Sequence, residues 1–245
     1  MLATLTPIVA IGTAVYAEPV AVIGDVHGCA GLLRTLLSRL PAGMPILVAG
    51  DLCDRGPDSR GVIDTLVARG ARGVLGNHDL WLRDWACGNG FDRFALHPAM
   101  GGAATLSSYC VESRSTGTIE AEAWRVPPLH RDWLCSLPVA LDLEVMGERY
   151  WLVHAGVPAT ESLAGLASHE VIPHLARTKP ASLLWPKNEP DDMLPLDRTV
   201  LMGHVPLRKP LDTGAVLAID TGAGTIPGGR LTAVILPERR FVTVG

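Results

Sequence analysis

Five short stretches of the chain combine carboxylate, imidazole or amide side chains with a glycine, and each follows an apolar run. The first is Gly24-Asp25-Val26-His27-Gly28. The others are Gly50-Asp51-Leu52-Cys53-Asp54-Arg55-Gly56, Gly76-Asn77-His78-Asp79, His154-Ala155-Gly156 and Gly203-His204. Side chains of these types bind divalent metal ions in proteins. Because ligands bind at the carboxyl ends of strands in open α/β sheets, we expect all five stretches to meet at one metal centre.

The composition limits the class of protein. The chain has 245 residues, 48% of them hydrophobic, which is enough for a sizeable core. We expect a single domain over residues 1–245 with a mostly helical insertion at about 80–138. The net charge of −4, without long runs of like charge, argues against a nucleic-acid-binding surface, which would be basic. Charged residues, prolines or glycines interrupt every apolar run, so the sequence predicts no membrane span.

The cysteines and the first residues bear on the cellular compartment. The five cysteines are scattered and form no C-x-x-C pair, which predicts reduced thiols rather than a disulfide framework or a zinc-thiolate site. Residues 1–17 carry no charged side chain and allow a weak signal peptide, although such a peptide normally begins with Lys or Arg. Their β-branched residues favour a strand instead, and we expect a cytoplasmic protein.

Helical and strand patterns alternate through the first third of the chain. Apolar runs at 20–23, 46–49 and 73–75 predict parallel strands joined by right-handed helical crossovers, with Asp58 or Ser59 as the N-cap of the second helix. The second half is strand-rich, with apolar runs near 139–156, 199–202, 216–219, 231–236 and 241–244. The sequence therefore predicts an α/β fold in which two mixed β-sheets pack face to face with helices outside.

The motifs G-D-V-H-G, G-D-x-x-D-R-G, G-N-H-D, H-A-G and G-H, in this order, resemble those of the calcineurin-like metallophosphoesterases. More narrowly, the chain is similar to the phosphoprotein-phosphatase branch, which includes bacterial serine/threonine phosphatases and symmetrical diadenosine tetraphosphate hydrolases. Further likenesses to bacterial members are Gly101-Gly102-Ala103-Ala104-Thr105-Leu106, Leu183-Leu184-Trp185 and Asp220-Thr221-Gly222-Ala223. The resemblance runs from about residue 20 to the C-terminus and implies the four-layer metallophosphoesterase sandwich.

The resemblance also implies a centre of two divalent metal ions that share one carboxylate. It assigns to the first ion the ligands Asp25, His27 and Asp51. It assigns to the second ion the ligands Asp51, Asn77, His154 and His204. A set of carboxylate, imidazole and amide ligands without thiolates suits Mn²⁺ best, with Fe or Zn as alternatives. Two such ions can clamp a phosphoryl oxygen and lower the pKa of a bound water.

Other side chains in the same motifs suit phosphoryl transfer. Arg55 offers a planar bidentate fork for phosphate oxygens. His78 follows a metal ligand and can protonate the leaving oxygen, and the resemblance implies that Asp54 holds its imidazole. Asp79 is expected to cap the next helix, where a carboxylate is favoured by the N-terminal dipole.

The expected substrate contacts, Arg55, Asn77 and Lys187, include one departure from the family pattern. Members of the family usually supply a second phosphate-binding arginine just after the segment matched by Leu183-Leu184-Trp185. Lys187 stands there instead, and its ammonium holds phosphate from a single point. We expect Lys187 to take over this contact, with Arg177 or Arg198 as alternatives.

These observations predict a phosphohydrolase in which a metal-bridging hydroxide attacks phosphorus directly. The sequence interpretation places a protein serine/threonine phosphatase first, with a phosphorylated protein as the substrate. A symmetrical dinucleoside polyphosphate hydrolase is the alternative. A non-catalytic, metal-binding regulatory protein is a third interpretation, which the complete ligand set and the pairing of His78 with Asp54 argue against.

Overall fold

The computed structural model describes residues 6–110, 126–157, 163, 165–185, 189–194 and 196–245. Its strands are β1 (Val9–Tyr16), β2 (Val20–Ile23), β3 (Ile46–Val48), β4 (Arg72–Gly73), β5 (Pro138–Val145), β6 (Glu148–Val153), β7 (Thr199–Met202), β8 (Leu211–Asp212), β9 (Val216–Ala218), β10 (Leu231–Leu236) and β11 (Arg240–Val244). Its helices are α1 (Ala30–Ser38), α2 (Ser59–Ala68), α3 (Asn77–Ala86), α4 (Gly102–Tyr109), α5 (Pro128–Ser136) and α6 (Ser168–Thr178). Short 3-10 helices span Arg93–Leu96, Pro180–Leu183 and Pro190–Asp192.

A five-stranded mixed sheet has the spatial order β11-β10-β2-β3-β4. The strands β2, β3 and β4 run parallel, with Ala21 opposite Ile46 and Leu47 opposite Arg72. The predicted crossovers are the helices α1 and α2, and Asp58 caps α2 by accepting a hydrogen bond from the amide of Gly61. The strand β10 runs antiparallel to both β2 and β11.

A six-stranded mixed sheet has the spatial order β1-β5-β6-β7-β9-β8. Its outer strand β1 pairs in parallel with β5, from Val9 opposite Pro138 to Tyr16 opposite Val145. The strand predicted in the N-terminal segment is thereby confirmed for Val9–Tyr16. The strands β5 and β6 form an antiparallel hairpin whose turn contains Met146 and Gly147.

The two sheets pack face to face, as the sequence predicts. Alternate residues of a strand point to opposite faces, so Val20 and Val22 belong to the cluster between the sheets. Ala21 and Ile23 point outward and pack in the cluster that contains helical residues. The inter-sheet cluster draws its other fully buried members from both sheets, including Leu47, Val74, Leu141, Leu152, Leu201, Leu217 and Val234.

The described residues between 80 and 138 include most of α3, the helices α4 and α5, and the 3-10 helix Arg93–Leu96. Cys87, directly after α3, forms a disulfide with Cys135 of α5. The expectation of reduced thiols is therefore wrong for this pair. The sequence contains no indication of the pairing, because the two cysteines lie 48 positions apart. Among the described residues, no helix is long and apolar enough to cross a membrane.

Candidate metal and phosphoryl-transfer site

The five motif stretches meet at one edge of the two sheets. Asp25 follows β2 and Asp51 follows β3, both in the five-stranded sheet, whereas His154 and His204 follow β6 and β7 in the other sheet. The Nδ1 atom of His154 lies 2.9 Å from the carbonyl oxygen of Ala49, so the two sheets touch at this edge. Asn77 is the first residue of α3 and joins them there.

The backbone at this edge is strained where the expected site residues lie. Seven described non-glycine residues have a positive φ, and five of them are residues that the motifs single out, namely His27, Asp51, Asp54, Arg55 and His204. Such conformations cost of order 1–3 kcal/mol each and concentrate at functional sites. The loops hold one another, since the amides of Val26 and His27 both donate to the carbonyl oxygen of Asp51.

Two motif glycines are required by close packing at the site. A Cβ atom on Gly203 would overlap Oδ1 of Asp25, and a Cβ atom on Gly76 would overlap the backbone nitrogen of Asp51. Glycine therefore lets each neighbouring loop approach a buried carboxylate closely.

Asp51 lies between two imidazoles and offers one oxygen to each. Its Oδ2 is 3.5 Å from Nε2 of His27, and its Oδ1 is 3.3 Å from Nε2 of His154. Nδ1 of His27 faces the carbonyl oxygen of Cys53 at 3.0 Å. Because a carbonyl only accepts, the hydrogen-bond network assigns the proton of each ring to Nδ1 and leaves the Nε2 lone pair toward Asp51. This arrangement suits a carboxylate that bridges two cations.

The second group of ligand-type atoms surrounds Nε2 of His154. It lies 3.0 Å from Oδ1 of Asn77 and 3.1 Å from Nδ1 of His204. Nε2 of His204 faces the carbonyl oxygen of Trp185 at 3.3 Å, so its Nδ1 also carries a lone pair. Imidazole nitrogen and amide oxygen atoms gathered in this way are donors that would suit a divalent cation. These lone pairs would repel one another without a cation between them, so the donor set fits a divalent metal ion.

Asp25 is placed differently from the other expected ligands. The groups of ligand-type atoms within 4.8 Å of one another are His27, Asp51 and His78, and Asp51, His154 and His204. The carboxylate of Asp25 lies outside both groups and accepts the backbone N–H of His204 at 3.0 Å. Assignment of Asp25 as a ligand of the first ion stays a prediction.

The buried carboxyl groups raise one another's proton affinity. Burial, and then the charges of Asp220 and Asp51, raise the pKa of Asp25 well above its ordinary value. Burial and then Asp51 raise the pKa of Asp79 to about 6, although two backbone amides oppose the shift. Burial likewise raises the pKa of Asp220 to about 6. A concentration of carboxylates that disfavours its own ionisation is an environment that a divalent cation would stabilise.

The imidazoles respond in opposite directions to this environment. Burial lowers the pKa of His27 to about 3, so the ring is neutral and has a lone pair to donate. Burial would also lower the pKa of His154, but the charge of Asp51 outweighs it and raises the value. His154 and then His78 outweigh the burial of Asp51 and lower its pKa well below the ordinary range.

His78 is held between a carboxylate and a guanidinium. Its Nδ1 lies 2.7 Å from Oδ2 of Asp54, and its Nε2 lies 3.1 Å from a terminal nitrogen of Arg55. The other terminal nitrogen of Arg55 donates to Oγ1 of Thr225 at 2.7 Å. Nε of Arg55 is buried without a hydrogen-bond partner among the described atoms. An unpaired buried donor on a guanidinium is suited to an oxyanion.

Several residues that support this arrangement were not assigned roles from the sequence. Oδ2 of Asp54 accepts Nε1–H of Trp81 at 2.9 Å, and its Oδ1 accepts the hydroxyl of Thr105 at 2.8 Å. The sequence could have pointed to them through the family likeness, since its segments contain or adjoin Thr105, Asp220 and Thr225. Asp79 caps α3, as predicted, by accepting the amide of Gly76.

The second phosphate contact is not located by the described residues. Lys187 lies outside them, so its role stays a prediction. Arg198 bonds to Asp142 and Asp197 before β7, at the strand end opposite His204. Arg177 is exposed on α6 and donates to the carbonyl oxygen of Pro173. Neither of the two alternative arginines contacts the site.

Comparison with characterised proteins finds relatives that span nearly the whole chain. The asymmetrical bis(5′-nucleosyl)-tetraphosphatase of Geobacillus thermodenitrificans is 29% identical, over 91% of this chain and 92% of the relative. The symmetrical bis(5′-nucleosyl)-tetraphosphatase of Neisseria gonorrhoeae is 27% identical, over 91% and 94%. Serine/threonine-protein phosphatase 1 of Salmonella typhimurium is 29% identical, over 86% and 88%.

The fold and the family agree with these relatives. A crystal structure of a protein provisionally named a diadenosine tetraphosphatase superimposes with a TM-score of 0.59 at 23% identity, and the match covers 96% of each chain. The family model for calcineurin-like phosphoesterases matches residues 18–241. The predicted two-sheet architecture and the predicted enzyme class, a phosphoric ester hydrolase, are both confirmed. The chain belongs to the calcineurin-like phosphoesterase family and is a metal-dependent phosphoric ester hydrolase.

Proposed function

We propose that the protein cleaves a dinucleoside polyphosphate symmetrically, between two phosphates of the bridge. Two relatives that align with 91% of the chain are named bis(5′-nucleosyl)-tetraphosphatases, the Neisseria gonorrhoeae protein symmetrical and the Geobacillus thermodenitrificans protein asymmetrical. Both names support a dinucleoside polyphosphate as the substrate, rather than the phosphorylated protein that the sequence interpretation placed first, and the Neisseria name supports symmetrical cleavage. The observation that carries the phosphoryl-transfer part of the proposal is the contact of His78 with both Asp54 and Arg55.

The residues of the site divide into cation ligands and substrate contacts. His27, Asp51, Asn77, His154 and His204 would hold two divalent ions together with Asp25, Mn²⁺ being the proposed metal. When bound, such ions neutralise phosphate charge and make a water acidic.

Arg55 would bind the substrate by exchanging its hydrogen bond to His78 for one to phosphate. Its buried Nε and the nitrogen now on His78 would turn to phosphate oxygens, while Thr225 continues to orient the other nitrogen. A bidentate grip of this kind positions the phosphate and offsets its charge.

His78 would then complete the reaction as an acid. Once Arg55 leaves Nε2, the ring can carry a proton there, because Asp54 accepts from Nδ1 and stabilises the cation. Water adds to phosphorus, the bridging P–O bond breaks, and the leaving oxygen takes the proton from Nε2. Both products are phosphate esters, and no covalent bond to the protein is formed.

Product analysis tests the proposal. With Mn²⁺ and diadenosine tetraphosphate, we expect two ADP molecules per cleaved substrate, separated by ion-exchange chromatography. AMP with ATP would overturn the symmetrical cleavage, and no turnover at all would overturn the proposed substrate class. The exposed His169→Ala variant, on α6, is the matched control that should keep wild-type activity.

A serine/threonine phosphatase is the second candidate because the Salmonella relative carries that name over 86% of the chain. A phosphoserine peptide assayed beside the dinucleotide distinguishes the two. A higher kcat/KM on the peptide would favour the protein phosphatase.

A further inference from the structure

An aromatic pocket opens from the candidate site on the side of Asn77. Its cavity measures about 150 Å³, and its main walls are Asn77, Leu80, Trp81, Phe94, Met100 and Trp185. Asn77 forms the inner end, where its Oδ1 contacts His154. At the other wall, the carbonyl oxygen of Trp185 lies 3.3 Å from Nε2 of His204. The aromatic pocket is therefore contiguous with the proposed metal ligands.

The rim of the aromatic pocket exposes two large rings to solvent. Phe94 is 56% exposed and Trp185 is 44% exposed, although both are apolar and neighbour a buried polar site. Trp81, deeper in the wall, is fixed by its hydrogen bond to Asp54 and by stacking on Trp85 at 6.4 Å. Exposed aromatic surface beside a catalytic edge is typical of a ligand-binding surface.

The charges of the aromatic pocket select the kind of ligand. Its two charged residues are carboxylates, Asp84 and Asp92, and its described lining contains no lysine or arginine. Oδ1 of Asp92 accepts the amide of Phe94, and Oδ1 of Asp84 accepts a hydrogen bond from Asn89 and forms an ion pair with Arg83. The lining thus offers phosphate no cation of its own and favours an uncharged planar ring that bears N–H donors. An adenine ring, with its exocyclic amine, has this chemistry.

A second cavity at the site suits the charged part of the substrate. This larger cavity of about 610 Å³ contains Arg55 and Thr225, and its other walls are small residues or prolines. The two cavities are neighbours, because Met100 lines the aromatic pocket whereas Ala99 and Gly101, on either side of it in the chain, line the cavity at Arg55. One nucleoside and its phosphates can therefore be bound in the two environments at once.

We propose that the aromatic pocket binds one nucleobase of the substrate, with the ring held between Phe94 and Trp185. This inference rests on the proposed function, since a phosphopeptide would bring no base. Stacking of a base on an aromatic side chain contributes about 1–3 kcal/mol, which corresponds to about 5- to 150-fold in affinity. Trp185 and Phe94 are thus specificity residues that act on the base and leave the phosphates untouched.

The test compares two inhibitors that differ by one adenosine. ADP and inorganic pyrophosphate are titrated against the hydrolysis of p-nitrophenyl phosphate at fixed free Mn²⁺. The wild type should bind ADP more tightly than pyrophosphate. Trp185→Ala should lower the affinity for ADP about 5- to 150-fold and change the affinity for pyrophosphate by less than about twofold. Trp185→Phe should restore most of the preference for ADP. Phe94→Ala should act in the same direction. The control is Leu129→Ala, because Leu129 is an exposed apolar residue of α5, and this variant should keep the wild-type affinity for both inhibitors.

Two results would overturn the aromatic pocket as a base site. One is equal affinity of the wild type for ADP and pyrophosphate. The other is an equal loss of affinity for ADP and for pyrophosphate in Trp185→Ala and Phe94→Ala. The outcome is separate from that of the proposed function, because the inhibitor comparison can be made whether or not diadenosine tetraphosphate is cleaved.

Discussion

Replacement of His78 with alanine isolates the acid step, because the variant leaves every proposed metal ligand in place. The backbone N–H of His78 donates to Oδ1 of Asp51 at 2.9 Å, and alanine keeps that bond. The loss is the imidazole between Asp54 and Arg55. Asp54 retains its two other side-chain donors, so we expect the fold to survive with a loss of about 1–3 kcal/mol in the free energy of unfolding.

The expected effect on catalysis depends on the leaving group. A positioned general acid contributes about 10²–10⁴-fold, equivalent to about 2.7–5.5 kcal/mol of transition-state stabilisation. Phosphoserine expels an alkoxide and should show this whole loss in His78→Ala. p-Nitrophenyl phosphate and diadenosine tetraphosphate expel stable anions, so their kcat should fall by less than about tenfold.

The assay measures kcat for the three substrates at saturating Mn²⁺, together with the metal content of the purified protein. His169→Ala serves as the control, because this histidine is exposed on α6. Equal losses on all three substrates would refute the role of His78 as an acid. Loss of bound metal would show instead that His78 is a ligand, which its place in the group with His27 and Asp51 makes a real alternative.

Three other predictions concern the metal ligands, His130 and the disulfide. The wild type should bind about two divalent ions per chain, and Asp51→Asn should weaken both sites, as elemental analysis after dialysis would show; one lost site would contradict the bridge. Burial lowers the pKa of His130, so the unfolded chain binds more protons there below its ordinary value of 6.5. The thermal stability of the wild type should therefore fall relative to that of His130→Gln between pH 7 and about 5; a constant difference between the two curves would exclude His130 as a contributor. The disulfide between Cys87 and Cys135 spans 48 positions, so its reduction should lower the free energy of unfolding by up to about 4 kcal/mol through chain entropy. Urea unfolding with and without reductant measures this loss, and coincident curves would contradict it.

Local patterns were sufficient to predict most of the elements and the meeting of the motifs. The cap at Asp58 is a contact over three residues, and the strand Val9–Tyr16 is marked by its own β-branched residues. The convergence of the five motifs required only a general rule about strand ends. Each of these inferences uses information within a few residues of the element concerned.

Contacts between distant segments were beyond the sequence patterns. Thr225 orients Arg55 across 170 positions, and Thr105 bonds to Asp54 across 51. The disulfide and the aromatic pocket are also formed by segments that the tertiary fold brings together. The hydrogen bond from the backbone N–H of His204 to Asp25 likewise joins loops that are 179 positions apart.

The strain and the charge at this edge of the sheets have a common consequence. Five motif residues with positive φ each cost stability, and the buried carboxylates of Asp25, Asp51, Asp79 and Asp220 add mutual repulsion. A chain selected for stability alone would replace such groups by apolar residues, since unpaired buried charge is costly. The inter-sheet and helical clusters supply the burial that offsets this cost. The edge is thus pre-arranged around positions for cations, and bound cations would return part of the stability that the arrangement gives up.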